Sequence, residues 1–302
     1  MRYLFLFYFL ALVLSAKVIT PNDVYAQSML IQDYVHFLLK YYDIKHDHEG
    51  INNRITISTR LKPRNAWQKS YEILVKINML RDNYNLSRIK PVGMEPVEKL
   101  NPDMVYGQTQ RILAELKIFE VRKDINMPKY TLKKYKNKTP LDVYNAFSHI
   151  SASLDELNRS ELSPSYVFAE TIRIYDDLSI ILKHLNVKDD TIPSKRLISA
   201  TPSDSLAVSM KVLEKIKKLQ RSVGIRTVDF SVFNKKNPLP SDVYSITGMI
   251  IAELQPLKAY IGLKHTVTPP ARLYIKKVPA DIEQLMGWNL RKINLLNNLD
   301  RR

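Results

Sequence analysis

The chain has 302 residues, no cysteine, seven glycines and a net charge of +16. Without thiols it has no disulfides, thiolate metal sites or thiol nucleophiles, and so little glycine argues against glycine-rich phosphate loops and tight-turned β architectures. The positive surplus, with a pI near 9.7, favours polyanionic partners such as anionic lipid, lipopolysaccharide or acidic polysaccharide.

Residues 1–16 read as a secretory signal. Arg2 supplies the positive start, Leu4 to Leu14 the apolar core, and Ser15-Ala16 the small-residue end. An apolar core of this length is short for a bilayer span. Cleavage after Ala16 is expected, with an uncleaved anchor as the alternative, and the compartment that follows is the bacterial periplasm or the exterior.

Eight prolines then open eight similar segments: Pro21, Pro63, Pro102, Pro140, Pro164, Pro202, Pro240 and Pro279. Thr139-Pro-Leu-Asp-Val-Tyr144 is the clearest copy. A Thr or Ser before the proline is a helix N-cap, proline at the first helical position loses nothing by lacking an N–H, and an acid two residues on faces the helix dipole. Thr20/Asp23, Thr139/Asp142 and Thr201/Asp204 carry the full form. Asp242 and Asp281 keep the acid alone, Asp103 is shifted by one, and Asn65 and Tyr166 replace it.

Counting from each proline, apolar residues recur at +3, +4, +10, +14 and +17. The +14 site is Val35, Ile77, Leu116, Leu154, Leu178, Ile216, Leu254 and Ile293. That spacing makes one apolar stripe on a helix of roughly five turns. Position +7 is Ser or Thr except at Phe147 and Met286, so neighbouring helices are expected to approach closely there. The fold class is all-α.

Spacing sets the topology. Most prolines lie 38 to 42 residues apart, which leaves chain enough to return along a helix and begin the next one in the same direction. Between Pro140 and Pro164 the interval is only 24 residues, too short to return. The chain therefore divides into a first four-helix module, 17–159, and a second, 160–302, as an internal duplication. The crossovers recur as well. Pro193 to Leu197 and Pro270 to Tyr274 each begin nine residues before the next helix-opening proline, and Pro128 to Leu132 is related. Such long connections are expected to be ordered and extended, with strand-like pieces such as Arg54 to Thr59.

The densest basic segment is the crossover Lys129 to Lys138, where Lys129, Lys133, Lys134, Lys136 and Lys138 interleave with Tyr130 and Tyr135. Lys129, Lys133, Lys134, Tyr135, Lys136 and Lys138 are candidates for gripping a charged polymer. A second candidate is the aromatic set at +4 in the first module, Tyr25, Trp67, Tyr106 and Tyr144. In a parallel bundle these residues form one layer near four helix N-termini, a place for a small polar or anionic ligand.

His46-Asp47-His48-Glu49 is the one cluster with metal-ligand chemistry. It lacks a third ligand at a diagnostic spacing and Gly50 follows it, so it reads as a surface loop. No nucleophile motif or phosphate loop occurs, and no cofactor or metal is expected. The sequence therefore points to a non-enzymatic, secreted or periplasmic binding and scaffolding protein that docks on an anionic envelope polymer or lipid, or on a protein partner. Specific nucleic-acid recognition is not expected. The alternative is a small-ligand sensor or carrier that uses the aromatic layer.

Overall fold

The computed structural model describes residues 18–45, 60–90, 93, 100–228 and 237–296. Residues 1–16, expected to be a signal, the His46 to Glu49 cluster and the stretch Arg54 to Thr59 lie outside the described residues. The fold is all-α. The helices are α1 (Pro21–Tyr41), α2 (Pro63–Asn83), α3 (Pro102–Arg122), α4 (Pro140–Asn158), α5 (Pro164–His184), α6 (Pro202–Ser222), α7 (Pro240–Tyr260) and α8 (Pro279–Asn294).

Every helix starts at its proline, with an extended N-cap before it. The carboxylates of Asp23, Asp142, Asp204, Asp242 and Asp281 each accept the backbone N–H of the N-cap residue at 2.7–3.0 Å. Asn65 does the same for Lys62 at 2.9 Å, so its amide replaces the acid without loss of the cap. At α3, where the acid is Asp103 and N3 is Met104, the cap is the N-cap side chain itself: Asn101 accepts the Met104 N–H, as Thr139 and Thr201 accept from Asp142 and Asp204.

The helices are longer than the apolar stripe suggests, and their stop signal lies beyond it. Asp43, Asn85, Asp124, Asn186, Gly224 and Gly262 all have positive φ. The next residue in each case, Ile44, Leu86, Ile125, Val187, Ile225 or Leu263, donates its N–H back to a carbonyl five residues earlier. This is a Schellman stop: a left-handed residue satisfies two orphan carbonyls, and the apolar residue after it folds onto the core. The pair recurs at +22 and +23 in six repeats.

Within the first module α1 and α2 each pack on both α3 and α4. In the second, α5 and α6 each pack on both α7 and α8. The helices of a module are parallel. Pro21, Pro63, Pro102 and Pro140 meet at one end of the first module, with Val24, Ala66, Val105 and Val143 just inside. In the second module, Ser205 near the start of α6 donates to the carbonyl of Pro279 at the start of α8. The +14 residues of all eight helices are at most 1% exposed. At +7 each bundle places three small residues and one large one, Phe147 or Met286, both fully buried. The small hydroxyls donate to carbonyls of their own helices, so close packing leaves no unmet donor there.

The modules join where α2 packs on α7. Arg64 and Asn65, at the start of α2, reach Glu253 in the later half of α7. Further along α2, Lys69 and Glu72 meet Ser245, near the start of α7. The two helices are thus antiparallel, and the N-terminal ends of the two bundles face opposite ways. Every residue of α2 from Asn65 to Arg81 is buried, as is every residue of α7 from Ile246 to Lys258.

This junction is polar, which an amphipathic stripe does not anticipate. Glu72 accepts from Lys69, from Ser151 of α4 and from Ser245, while Lys76 pairs with Asp155 of α4 at 2.7 Å. Glu170 pairs with Arg173 at 2.7 Å and accepts from the Tyr244 hydroxyl. The Arg173 guanidinium lies 4.5 Å from the Tyr71 ring of the other module. Asp177, Lys258 and Thr268 form a closed triangle. Buried charges paired in this way cost stability if one partner is lost.

The crossovers take part in the same junction. A Cβ on Gly93 would lie 2.3 Å from the Thr268 carbonyl oxygen, so the α2–α3 and α7–α8 crossovers touch at a point only glycine permits. The Tyr71 hydroxyl accepts the Ala271 N–H at 3.3 Å.

Candidate functional site

The lysine-rich crossover is an ordered strip pinned to α1. The Tyr135 ring meets Tyr25 edge-on at 4.9 Å, and Tyr130 packs on Tyr34 at 5.4 Å. The Lys138 ammonium lies 4.3 Å over the Tyr25 ring, and its backbone N–H donates to the Asn22 side chain at 2.8 Å. Lys129, Lys133, Lys134 and Lys136 are exposed. Among the described residues none of these four has an ion-pair partner, whereas Lys138 stands 4.0 Å from Asp142. Tyrosine and lysine thus divide the work. The rings hold the strip and the ammonium groups face water.

The same clamp is built again in the second module. Tyr274 meets Phe168 of α5 edge-on at 5.1 Å, Lys277 lies 4.3 Å over the Phe168 ring, and its N–H donates to the Ser165 hydroxyl at 3.2 Å. The strips align on Tyr135 and Tyr274, so Lys134 and Lys136 of the first match Leu273 and Ile275 of the second. At these two positions the same backbone device carries cations in one module and aliphatic side chains in the other, while Arg272 matches Lys133.

The four +4 aromatics lie at one level, but each has a different set of neighbours. Tyr25 serves the clamp. The Tyr106 hydroxyl accepts from Gln27 at 3.1 Å, and Trp67 stacks on Tyr71 at 6.3 Å. Tyr144 is buried with Lys69 at 6.0 Å from its ring, and burial, then the Glu72 carboxylate, pushes its phenol well above the usual range. The residues that converge on the bundle axis are those at +3, which with the four prolines line a small apolar dimple.

A larger opening lies between the modules. Lys62, Pro63 and Arg64, Leu100, residues 224–226 and the end of α7 border a cleft of about 680 Å³. Arg64 is held there by a two-pronged contact with Glu253, at 3.0 and 2.6 Å. The described residues that line it include Lys62, Arg64 and Arg226 and no acid. Among the described residues no group of three or more His, Asp or Glu is arranged to hold a metal.

The junction and the paired clamps escaped the sequence reading. The clamp had a signal in the shared Tyr–Lys spacing before Pro140 and Pro279 and in the aromatic at +4 of α1 and α5. The junction had almost none, because Lys69, Glu72 and Lys76 look like an ordinary solvated helix face. The chain matches no family model, no curated protein sequence and no solved structure.

Proposed function

We propose that the protein is a non-enzymatic scaffold that docks on an anionic envelope polymer through the lysine strip that runs along α1 of its first module, after export directed by residues 1–16. The observation that carries this reading is the set of exposed ammonium groups of Lys129, Lys133, Lys134 and Lys136, which have no ion-pair partner among the described residues, on a backbone held by Tyr130, Tyr135 and Lys138. A flexible basic tail loses entropy when it binds; a pre-ordered strip loses less and presents its charges at fixed spacing. Net charge draws a polyanion in, and the strip gives it a place to rest. No helix among the described residues is long and apolar enough to cross a membrane.

The test is binding of the chain from Lys17 onward to an acidic polysaccharide, wild type against a Lys133→Gln/Lys134→Gln/Lys136→Gln variant. Loss of most low-salt affinity in the variant, with unchanged thermal stability, supports the strip. Equal binding by both proteins removes it.

A second reading, a carrier of a small anionic ligand, draws on the cleft between the modules rather than on the aromatic layer, because the described residues that line it include three cations and no acid. It requires saturable binding of one ligand per chain that is lost when Lys62 and Arg226 are replaced.

A further inference from the structure

The second module ends in a surface of a different kind from the lysine strip. The α5–α6 crossover runs down the side of α8 toward its start. The Ile192 carbonyl accepts from Arg291, the Ser194 carbonyl from Gln284, and Arg196 pairs with Asp281, in the first turn of α8, at 2.8 Å. Leu197 and Ile198 follow directly, at the tip of the bundle, before the chain turns into α6. Residues Ile275 to Val278 reach the same tip, because Val278 is the N-cap of α8 and donates its N–H to that same Asp281. Both loops therefore meet around one carboxylate.

What they present there is apolar. Ile198 is 84% exposed, Ile275 74%, Leu197 50% and Val278 41%. Lys195, Arg196 and Lys276 stand exposed among them. Asp281 is occupied by Arg196 and by its own helix cap, and Asp204 caps α6 through Thr201. Aliphatic side chains in water are unfavourable unless something covers them. Aliphatic tips fringed by lysine and arginine match one environment well: the acyl–headgroup boundary of an anionic bilayer, where the apolar groups leave water and the cations meet lipid phosphates. The loops are held by the Tyr274–Phe168 contact, the Lys277–Phe168 contact and the bonds along α8, so the tip is presented pre-formed.

We propose that the N-terminal tip of the second module, formed by Leu197, Ile198, Ile275 and Val278 with Lys195, Arg196 and Lys276, is a membrane-docking surface that inserts its aliphatic side chains shallowly into an anionic lipid leaflet. It does not rest on the polymer-binding role of the lysine strip. Since α2 and α7 are antiparallel, this tip points the opposite way from the start of α1, where the lysine strip ends at Lys138.

The experiment is partition of the full-length mature chain onto vesicles of phosphatidylglycerol and phosphatidylcholine at high salt, where long-range charge attraction is screened. The comparison protein is an Ile198→Asp/Ile275→Asp variant, altered at two exposed positions. The expected result is a fall in partition of roughly tenfold or more with polysaccharide binding unchanged. An Ile198→Trp protein gives an independent reading: the emission of the introduced indole shifts to the blue and is quenched by brominated acyl chains on binding. Equal partition of variant and wild type, or an introduced indole that stays in water while the protein is bound, overturns the proposal. Loss of polysaccharide binding in the Lys133→Gln/Lys134→Gln/Lys136→Gln variant, with vesicle insertion retained, bears on the strip alone, so the two proposals fail separately.

Discussion

The Lys138 ammonium lies 4.3 Å over the ring of Tyr25, and its own backbone N–H is bound by Asn22, three residues before that ring. Lys277, Phe168 and Ser165 repeat the arrangement in the second module. A connection fixed at its end by a ring, a cation and a backbone bond is part of the fold, although it has no regular secondary structure. Tyr25→Ala is therefore expected to cost about 1 kcal/mol and to raise amide exchange across residues 129–138 while leaving the α2–α7 junction protected. Unchanged exchange in that crossover would mean the ring does not hold it.

An ion pair between Arg64 and Glu253 crosses the junction. In the first module Arg81 of α2 pairs with Glu115 of α3 at 2.8 Å. The equivalent residues of the second module are Gln220 and Glu253, and the neutral glutamine leaves a fully buried carboxylate for Arg64 of the first module to pair. Arg64→Ala should destabilise the chain by about 3 kcal/mol, because it strands that charge. Replacing both Arg64 and Glu253 with methionine should recover most of the loss. Urea denaturation of the single and double variants decides it: a double variant as unstable as the single one would contradict pairing as the cause.

Acid and base act on this junction in opposite senses. Burial pushes the Asp155 carboxyl up to about 6, against the pull of Lys76. The unfolded chain loses that proton near pH 4 while the folded chain keeps it to about pH 6. This group's contribution is therefore largest below about pH 4 and is lost as pH rises to about 6. Glu72 is also buried, but Lys69 and Lys76 hold its carboxyl below the usual range, so its contribution is present above the ordinary glutamate pKa and fades as pH falls. Relative to wild type, Asp155→Asn should gain roughly 2–3 kcal/mol in unfolding free energy between pH 4 and pH 7. A pH-independent difference would show that Asp155 does not titrate as placed.

Phe147 fills the layer in which Ser28, Ser70 and Thr109 leave room. Phe147→Ala should cost about 4 kcal/mol through the cavity it opens among three helices. Ser70→Ala should cost far less, because that hydroxyl serves its own helix at the Trp67 carbonyl. Thermal unfolding of the two proteins gives the comparison, and similar losses would mean the layer is not packed around the phenylalanine.

The eight helices were legible because each start is written locally: proline, cap and apolar spacing report on one another within a few residues. The stops were equally local, in pairs such as Asn85-Leu86 and Gly224-Ile225, but they lie past the stripe and a reading confined to the stripe passes over them. The polar junction was not legible. Lys69, Glu72 and Lys76 carry the charge of a solvated face, and only the approach of Ser151, Asp155 and Ser245 from elsewhere in the chain makes burial tolerable. The +4 aromatics were legible as a layer but not as neighbours, since a small rotation about the helix axis decides whether +3 or +4 faces the centre.

The most direct test of polymer docking is the salt dependence of affinity for an acidic polysaccharide, measured for wild type and for the Lys133→Gln/Lys134→Gln/Lys136→Gln variant. Each lysine that meets the polymer releases about one counterion, so the slope of log affinity against log salt should be shallower in the variant by roughly two to three. Identical slopes, or wild-type binding that ignores salt, would contradict docking through the strip.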